Sequence, residues 1–188
     1  LMNLARSIHV LALADNENHI DELSVAAREI GVTIDVLVEV DIGAQRAGVQ
    51  PGQPAVKLAQ HIERNSHVKF AGITAHEGLI VFSDTASWEC QIKERFQRLL
   101  NTREDVEKTG IPIEICGAGS TTCWWIAGSM EGITEVDPGH YALMDSRYVE
   151  LNYGPAFKNA LKMVTTVIRR PVPDRAVIDC GYNSIGLA

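Results

Sequence analysis

The chain is poor in the features that mark several protein classes. It has only four cysteines, Cys90, Cys116, Cys123 and Cys180, and no C-x-x-C pair. That excludes a disulfide-stapled secreted scaffold and fits a reducing, cytoplasmic setting. Basic charge is also short: 17 Lys and Arg against 24 Asp and Glu leave a net charge of −7. A duplex-binding face or a polybasic membrane face is therefore not expected, and neither nucleic acid nor membrane is among the expected partners. No apolar run approaches the ~20 residues of a membrane span. The run Ile8 to Ala14, behind Arg6, imitates a signal peptide but is seven residues long, contains His9 and flows into a helix start. No H-x-x-x-H or H-x-C spacing occurs, so these residues offer no recognisable divalent-metal site. No G-x-G-x-x-G follows the first apolar run, which lowers a dinucleotide reading. There is no fixed-period repeat and no low-complexity tract.

What is present is the balance of one soluble domain, or of one domain with part of another: 188 residues, 46% hydrophobic and 22% charged. A chain this long buries roughly 70% of its unfolded surface, so no staple is needed. Position 1 is Leu rather than Met, and Ser184 to Ala188 trail from a strand-like run. An internal piece of a longer protein is expected.

The recurring unit is an apolar run, a polar or Gly-rich loop, then a helix-period segment. Ile8 to Ala14 reads as a strand, followed by capping Asp15, Asn16 and Asn18 and a helix with Ile20, Leu23, Ala27 and Ile30 on one face, stopped by Gly31. Ile34 to Asp41 is a second strand, and Pro54 opens a second helix with Ala55, Leu58, Ala59 and Ile62 inward. Phe70 to Ala75 is a third strand. A long helix starts near Ser83 or Asp84 with the stripe Trp88, Ile92, Phe96, Leu99 and Leu100, and Gly110 and Pro112 end it. Ile113 to Cys116 is a fourth strand, Thr121 to Met130 a short helix and Ile133 to Val136 a fifth strand.

Such alternation implies right-handed parallel βαβ units. A (β/α)8 TIM-type barrel is favoured over a doubly wound sheet because unusual polar residues, Arg46, His76, Ser120 and His140, follow several different strands. Five units make a partial barrel only. Beyond Tyr153-Gly154-Pro155 the texture turns β-rich, with Leu161 to Ile168 and Ala176 to Asp179 separated by Arg169 to Pro173. The expected division is thus a partial barrel over 1–153 and the start of an all-β domain over 154–188.

Four segments carry chemistry. In VDIGAQRAGV, Arg46 lies between glycines just past a strand end, where a guanidinium fixes an oxyanion, although a surface Arg in a Gly-rich turn reads equally well. In GITAHEG, the His76 imidazole can meet a ligand while Glu77 tunes it or faces elsewhere; an ordinary loop histidine is the plain alternative. CGAGSTT is a Gly-rich turn before a helix, a phosphate cradle or merely a tight turn. EVDPGHY is a second such turn one unit later, and successive Gly turns at a barrel's end match a phosphate grip. Trp124 and Trp125 read as packing residues.

In order and spacing these segments resemble the fold-type III pyridoxal-phosphate enzymes, specifically the D-threonine aldolase and D-serine dehydratase-like group, over the whole chain. The resemblance implies that Arg46 contacts the phenolic oxygen of pyridoxal 5'-phosphate and that His76, the catalytic candidate, stacks on its ring. It implies phosphate binding by Gly119, Ser120 and Thr121 and by Gly139, His140 and Tyr141. It also implies a homodimer of the complete enzyme, a small D-amino acid as substrate, and a divalent Zn or Mn ion bound outside these residues. The family's cofactor-anchoring lysine belongs to the first barrel strand, and none of Lys57, Lys69, Lys93, Lys108, Lys158 and Lys162 stands at such a place. The 188 residues alone are therefore expected to be inactive. Where the racemase-like pattern carries an Arg after Val136 that keeps the pyridine nitrogen unprotonated, this chain has Asp137, which suits cleavage or elimination at Cα better than racemisation. The expected activity is a lyase on a D-3-hydroxy amino acid. Its rivals are a racemase of the same fold, a non-catalytic cofactor-binding remnant, and a phosphate-binding barrel without pyridoxal.

Overall fold

A computed structural model describes residues 1–78, 84–144, 148, 157–181 and 184. It falls into two units, Leu1–Gly139 and His140–Ala188. The expected boundary at 153/154 lies outside the described residues.

The β-branched runs and the amphipathic segments between them build β1 (Leu11–Ala14), α1 (Glu17–Ile30), β2 (Ile34–Glu39), α2 (Gln53–Arg64), β3 (Val68–Thr74), α3 (Thr85–Glu107), β4 (Ile115–Gly117) and α4 (Trp124–Ala127). The caps are the ones the sequence offers. Asn16 accepts the His19 N–H at 2.8 Å, Gly31 closes α1 at φ +72°, and Asp84 accepts the Ser87 N–H at 2.9 Å. The four strands are parallel and lie in chain order β1-β2-β3-β4, with Leu13 opposite Leu37, Glu39 opposite Thr74 and Ile73 opposite Cys116. A doubly wound sheet reverses its order at a switch point. An unreversed run with helices between strands is a stretch of barrel wall, so the expected partial α/β barrel is the observed fold.

Period-two alternation sorts the strand residues. Ile34, Val36 and Val38 are fully buried with Ile20 and Ala27 of α1, Ala59 and Ile62 of α2, and Phe96 and Leu99 of α3. Leu11, Leu13, Leu37, Glu39 and Thr74 point to the opposite side, which would be the barrel interior, and Leu13 is 48% exposed there. Among the described residues no helix is long and apolar enough to cross a membrane.

Several expectations need correction. Ile133 to Val136 is not a strand; only Glu135 bridges, in parallel, to Gly117. The Cys116 carbonyl accepts from Thr134 and Glu135, but the Cys116 N–H goes to the Thr134 hydroxyl at 2.8 Å. A side chain has taken the place of a ladder carbonyl on that side, so pairing begins only at Glu135, whose carbonyl accepts the Ala118 N–H at 3.1 Å. The helix expected over Thr121 to Met130 shrinks to the four residues of α4, entered through a turn closed by Cys123 N–H to Ser120 O at 3.0 Å and ended at Gly128. In the second unit, β5 (Val167–Val172) pairs antiparallel with β6 (Arg175–Ile178). Arg169 to Val172 thus belong to the strand and not to the connection, which is the two-residue turn Pro173-Asp174. Pro171 is tolerated because a strand of a two-stranded sheet has a free edge.

The closest backbone approach in the wall is at Gly72, where the β2–β3 register slips between Val36 and Leu37. Gly72 adopts φ +150°, and a Cβ there would stand 1.8 Å from the Ile115 carbonyl oxygen of β4. Gly72→Ala should push β4 off the sheet at a cost of about 3 kcal/mol. Urea unfolding reads this directly, and an unchanged midpoint would contradict the β3–β4 register.

Candidate functional site

The loop after β2 is built around one carboxylate. Val40 and Val49 bridge in parallel, so the backbone returns to the strand end and pinches off the residues between. Inside that loop Asp41 accepts the Gly43 and Gln45 N–H groups, each at 3.0 Å. Gln45 is held at φ +53°, a conformation a non-glycine residue adopts only under constraint. Burial pushes the Asp41 carboxyl up, but the N–H groups of Gln45, Gly43 and Ala44 and the charge of Arg95 outweigh it and leave the group below its ordinary value. The loop presents Arg46, whose side chain is 66% exposed and whose Nη2 lies 3.8 Å from the Glu39 carboxylate. A pair so long and so wet binds weakly, which leaves the guanidinium available to a ligand.

The loop after β3 places His76 and Glu77 with opposite fates. The His76 Nδ1 accepts the Gly78 N–H at 2.9 Å, which puts the ring proton on Nε2. Glu77 turns away from the imidazole and is buried, its carboxylate accepting the Ser120 hydroxyl and, at 3.4 Å, the Ser120 N–H. Of the two roles the sequence leaves open for Glu77, the structure selects the second. Gly78 lies against the preceding loop so tightly that a Cβ would stand 2.6 Å from the Ala44 Cα. The Arg95 guanidinium donates to the Gly43 carbonyl at 3.1 Å and to the Glu77 carbonyl.

The third contribution comes from the end of β4. Gly117 lets the Thr74 hydroxyl and the Asp137 carboxylate pack close, since a Cβ would meet them at 3.0 and 3.2 Å. Gly119, at φ +94°, packs against Ala127. The turn that follows is not the start of a substantial helix, because α4 begins only at Trp124 and is too short to carry an appreciable dipole. The helix-start argument for a phosphate cradle therefore falls, and what remains is the turn itself. Its Ser120 hydroxyl donates to Glu77 and lies 2.9 Å from the Thr122 hydroxyl, and Thr121 is buried. Burial, and then Glu135, pushes the Asp137 carboxyl up. Burial, and then Glu77, pushes the Cys123 thiol far above its ordinary value, and burial takes Cys116 to about 11. Neither thiol is a nucleophile.

These three loops enclose one cavity of about 310 Å³ at the C-terminal ends of the strands. Arg46, His76, Gly119 and Ser120 all line it, together with Glu39, Glu77, Glu135 and Asp137. None of its lining residues is a lysine. Gly139 is not among them, and a Cβ on it would meet nothing within 4 Å. His140 and Tyr141 belong to the second unit, where His140 stacks on Tyr148 at 4.6 Å and Tyr141 lies 5.6 Å from Phe157.

The profile of the alanine racemase, N-terminal domain, matches residues 2–147. The chain belongs to that family. It is 33% identical over 189 residues to a D-threonine aldolase of Arthrobacter sp., covering 98% of this chain and 49% of that protein. It is 25% identical over 185 residues to a D-threo-3-hydroxyaspartate dehydratase of Delftia sp. (strain HT23), covering 96% and 48%. The solved D-threonine aldolase of Filomicrobium marinum superposes with a TM-score of 0.84 at 27% identity, over 97% of this chain and 50% of that one. The chain spans about half the length of these curated relatives.

Sequence reasoning missed Asp41 and Arg95, which hold the family chain's loops rather than face the cavity. Asp41 left a faint signal, an acidic residue at a strand end before two glycines; Arg95 left none, being one of several charged residues on a long helix. The depressed Asp41 carboxyl makes a prediction of definite sign. Its folded value lies below the ordinary 3.8, so the stability it lends is complete above that value and is lost as pH falls below it. Asp41→Asn should flatten the acid limb of stability below about pH 4, read by thermal unfolding at stepped pH. A limb as steep as the parent's would mean that the carboxylate does not hold the loop.

Proposed function

We propose that the protein is a pyridoxal-phosphate-dependent lyase acting on D-3-hydroxy amino acids, of the aldolase or the dehydratase type. One observation carries the reading: loops after three successive strands bring a solvent-accessible guanidinium, an imidazole and a glycine turn to one cavity. Its volume of about 310 Å³ is at the small end of the range for cofactor sites. The donor chemistry supplies the fit: the cavity is lined by the Arg46 guanidinium, the His76 imidazole and the Gly119 turn, groups suited to an oxyanion, a ring face and a phosphate.

In this reading Arg46 holds the cofactor's phenolic oxygen, His76 covers a ring face with its proton on Nε2, and the turn Gly119 to Thr121 receives the phosphate. Gly139, His140 and Tyr141 are proposed as the second phosphate turn from the resemblance alone. Bound there, pyridoxal phosphate supplies an electron sink for a bond broken at the substrate's Cα. Asp137 sets no positive charge against the ring nitrogen, which favours lysis over racemisation. No lysine of this chain lines the cavity, so the covalent anchor of the cofactor is not assigned to it. Among the described residues no three His, Cys, Asp or Glu side chains converge on a common point, and the divalent ion that the resemblance implies is proposed to bind outside these residues. A homodimer in the cytoplasm and a small D-amino acid substrate complete the proposal.

The test is product analysis on the full-length protein with pyridoxal phosphate present. D-threonine should give glycine and acetaldehyde, or 2-oxobutanoate and ammonia; D-serine should give pyruvate and ammonia if the enzyme is a dehydratase; L-isomers should give nothing. Interconversion of D- and L-alanine without these products would move the assignment to a racemase. Arg46→Ala should weaken cofactor binding on the order of ten-fold, the loss of a charge-assisted bond, whereas exposed Arg64→Ala should leave it within about two-fold. Equal effects would remove the cofactor role of Arg46. His76→Ala should lower turnover with the melting temperature intact, and the converse pattern would make His76 structural.

A further inference from the structure

We propose that Glu77 is a positioning residue that fixes the Gly119 to Thr121 turn as an anion-binding surface, and that Arg95 locks Glu77 to the loop bearing Arg46. The proposal rests on the cofactor reading above and adds to it the residue that shapes the phosphate end.

Glu77 is the most enclosed charged residue of the first unit, only 1% exposed. Among the described residues no lysine, arginine or histidine nitrogen lies within 4.0 Å of its carboxylate. A carboxylate in such a place is costly unless its lone pairs are met by donors. Both oxygens are met by one residue 43 positions away in sequence, Oε1 by the Ser120 hydroxyl and Oε2 by the Ser120 N–H, and the Cys123 thiol adds a further bond to the carboxylate. Two bonds from one carboxylate to one residue fix an orientation as well as a distance. They also commit the hydroxyl proton of Ser120 to the protein. Ser120 therefore serves the turn as its anchor, with hydroxyl and N–H both given to Glu77, and the proposed anion contact falls to the rest of the turn.

The other end of Glu77 is fixed just as firmly. Its carbonyl and that of Gly43 accept from the same Arg95 nitrogen. The guanidinium fills the space beside Gly43 that a Cβ would need, meeting it at 2.9 Å. Gly78, next in the chain, closes on Ala44. One residue of α3 thus ties the Arg46 loop to the His76 loop, and the side chain of Glu77 ties the His76 loop to the turn. The three loops are held at mutual distances set by these bonds, with no contribution from a ligand. That is the preorganisation a cofactor site requires.

The experiment uses the full-length protein with Glu77→Ala, Glu77→Gln and Arg95→Met, and reads two quantities. Amide hydrogen exchange over residues 117–122 reports the turn without any ligand. Titrations with pyridoxal phosphate, with pyridoxal lacking the phosphate, and with inorganic phosphate report what the turn holds. Glu77→Ala should speed exchange in that segment at least ten-fold. It should weaken pyridoxal phosphate and inorganic phosphate at least ten-fold while changing pyridoxal less than two-fold. Glu77→Gln, whose amide oxygen still accepts from Ser120, should recover most of both. Arg95→Met should speed exchange in residues 43–46 as well. Should Glu77→Ala fail to fold, Ser120→Ala cuts the same link from the other side and should reproduce the selective loss of phosphate. Unchanged exchange in residues 117–122, or equal weakening of pyridoxal and pyridoxal phosphate, overturns the role of Glu77. A parent protein that binds no pyridoxal phosphate overturns the cofactor reading, and the exchange result then still decides whether Glu77 holds the turn.

Discussion

Parallel pairing of β1 to β4 in chain order forces every strand to end at the same edge. Each loop that follows a strand begins at that edge, whatever its sequence, and the chain has only to place the right side chain a few residues past the strand end. Arg46 follows β2, His76 follows β3, and the turn around Ser120 follows β4. The approach of β3 to β4 at Gly72, and the missing side chain at Gly117, let those edges come close enough to share one cavity. The helices contribute by burying the opposite face: Val36 and Val38 are sealed, while Leu37 and Glu39, one residue on, face the cavity.

Charge in the cavity is lopsided in a useful way. Glu39, Glu77, Glu135 and Asp137 line it against the single guanidinium of Arg46. Arg46 pairs with Glu39 only at 3.8 Å and in contact with solvent, an arrangement worth at most about 1 kcal/mol. It gives up little on turning to an oxyanion. The raised Asp137 carboxyl marks a place where a further negative charge is unwelcome. The likeness to an aldolase and a dehydratase at modest identity fits a shared cofactor frame, with the choice of reaction left to residues that approach the cavity from elsewhere.

Local signals were legible wherever local bonds decide the outcome. Asn16 and Gly31 bounded α1, Asp84 capped α3, and the apolar run from Ile34 marked β2. Three of the four site segments were readable as turns past strand ends; the fourth follows no strand. What failed was decided at a distance. Ile133 to Val136 looks like a strand, but the Thr134 hydroxyl intercepts the Cys116 N–H and the pairing with β4 is reduced to the bridge at Glu135. Thr121 to Met130 looks like one helix, but the Ser120 hydroxyl is drawn to a carboxylate 43 residues away and the chain turns before it coils. The adjacent pair His76-Glu77 could not be told apart from sequence, since their different roles depend on which of them faces Ser120. Arg95 was invisible because nothing in a helix's own period distinguishes a clamp from a solvated charge.

The account stands on the claim that these loops form a pyridoxal-phosphate pocket, and a crystal structure of the protein with that cofactor bound tests it most directly. The account predicts the phosphate against the backbone of residues 119–121, the ring over His76, and the phenolic oxygen within hydrogen-bond distance of Arg46. Cofactor bound away from the ends of β2, β3 and β4, or bound there with Arg46 still turned to Glu39, would contradict it.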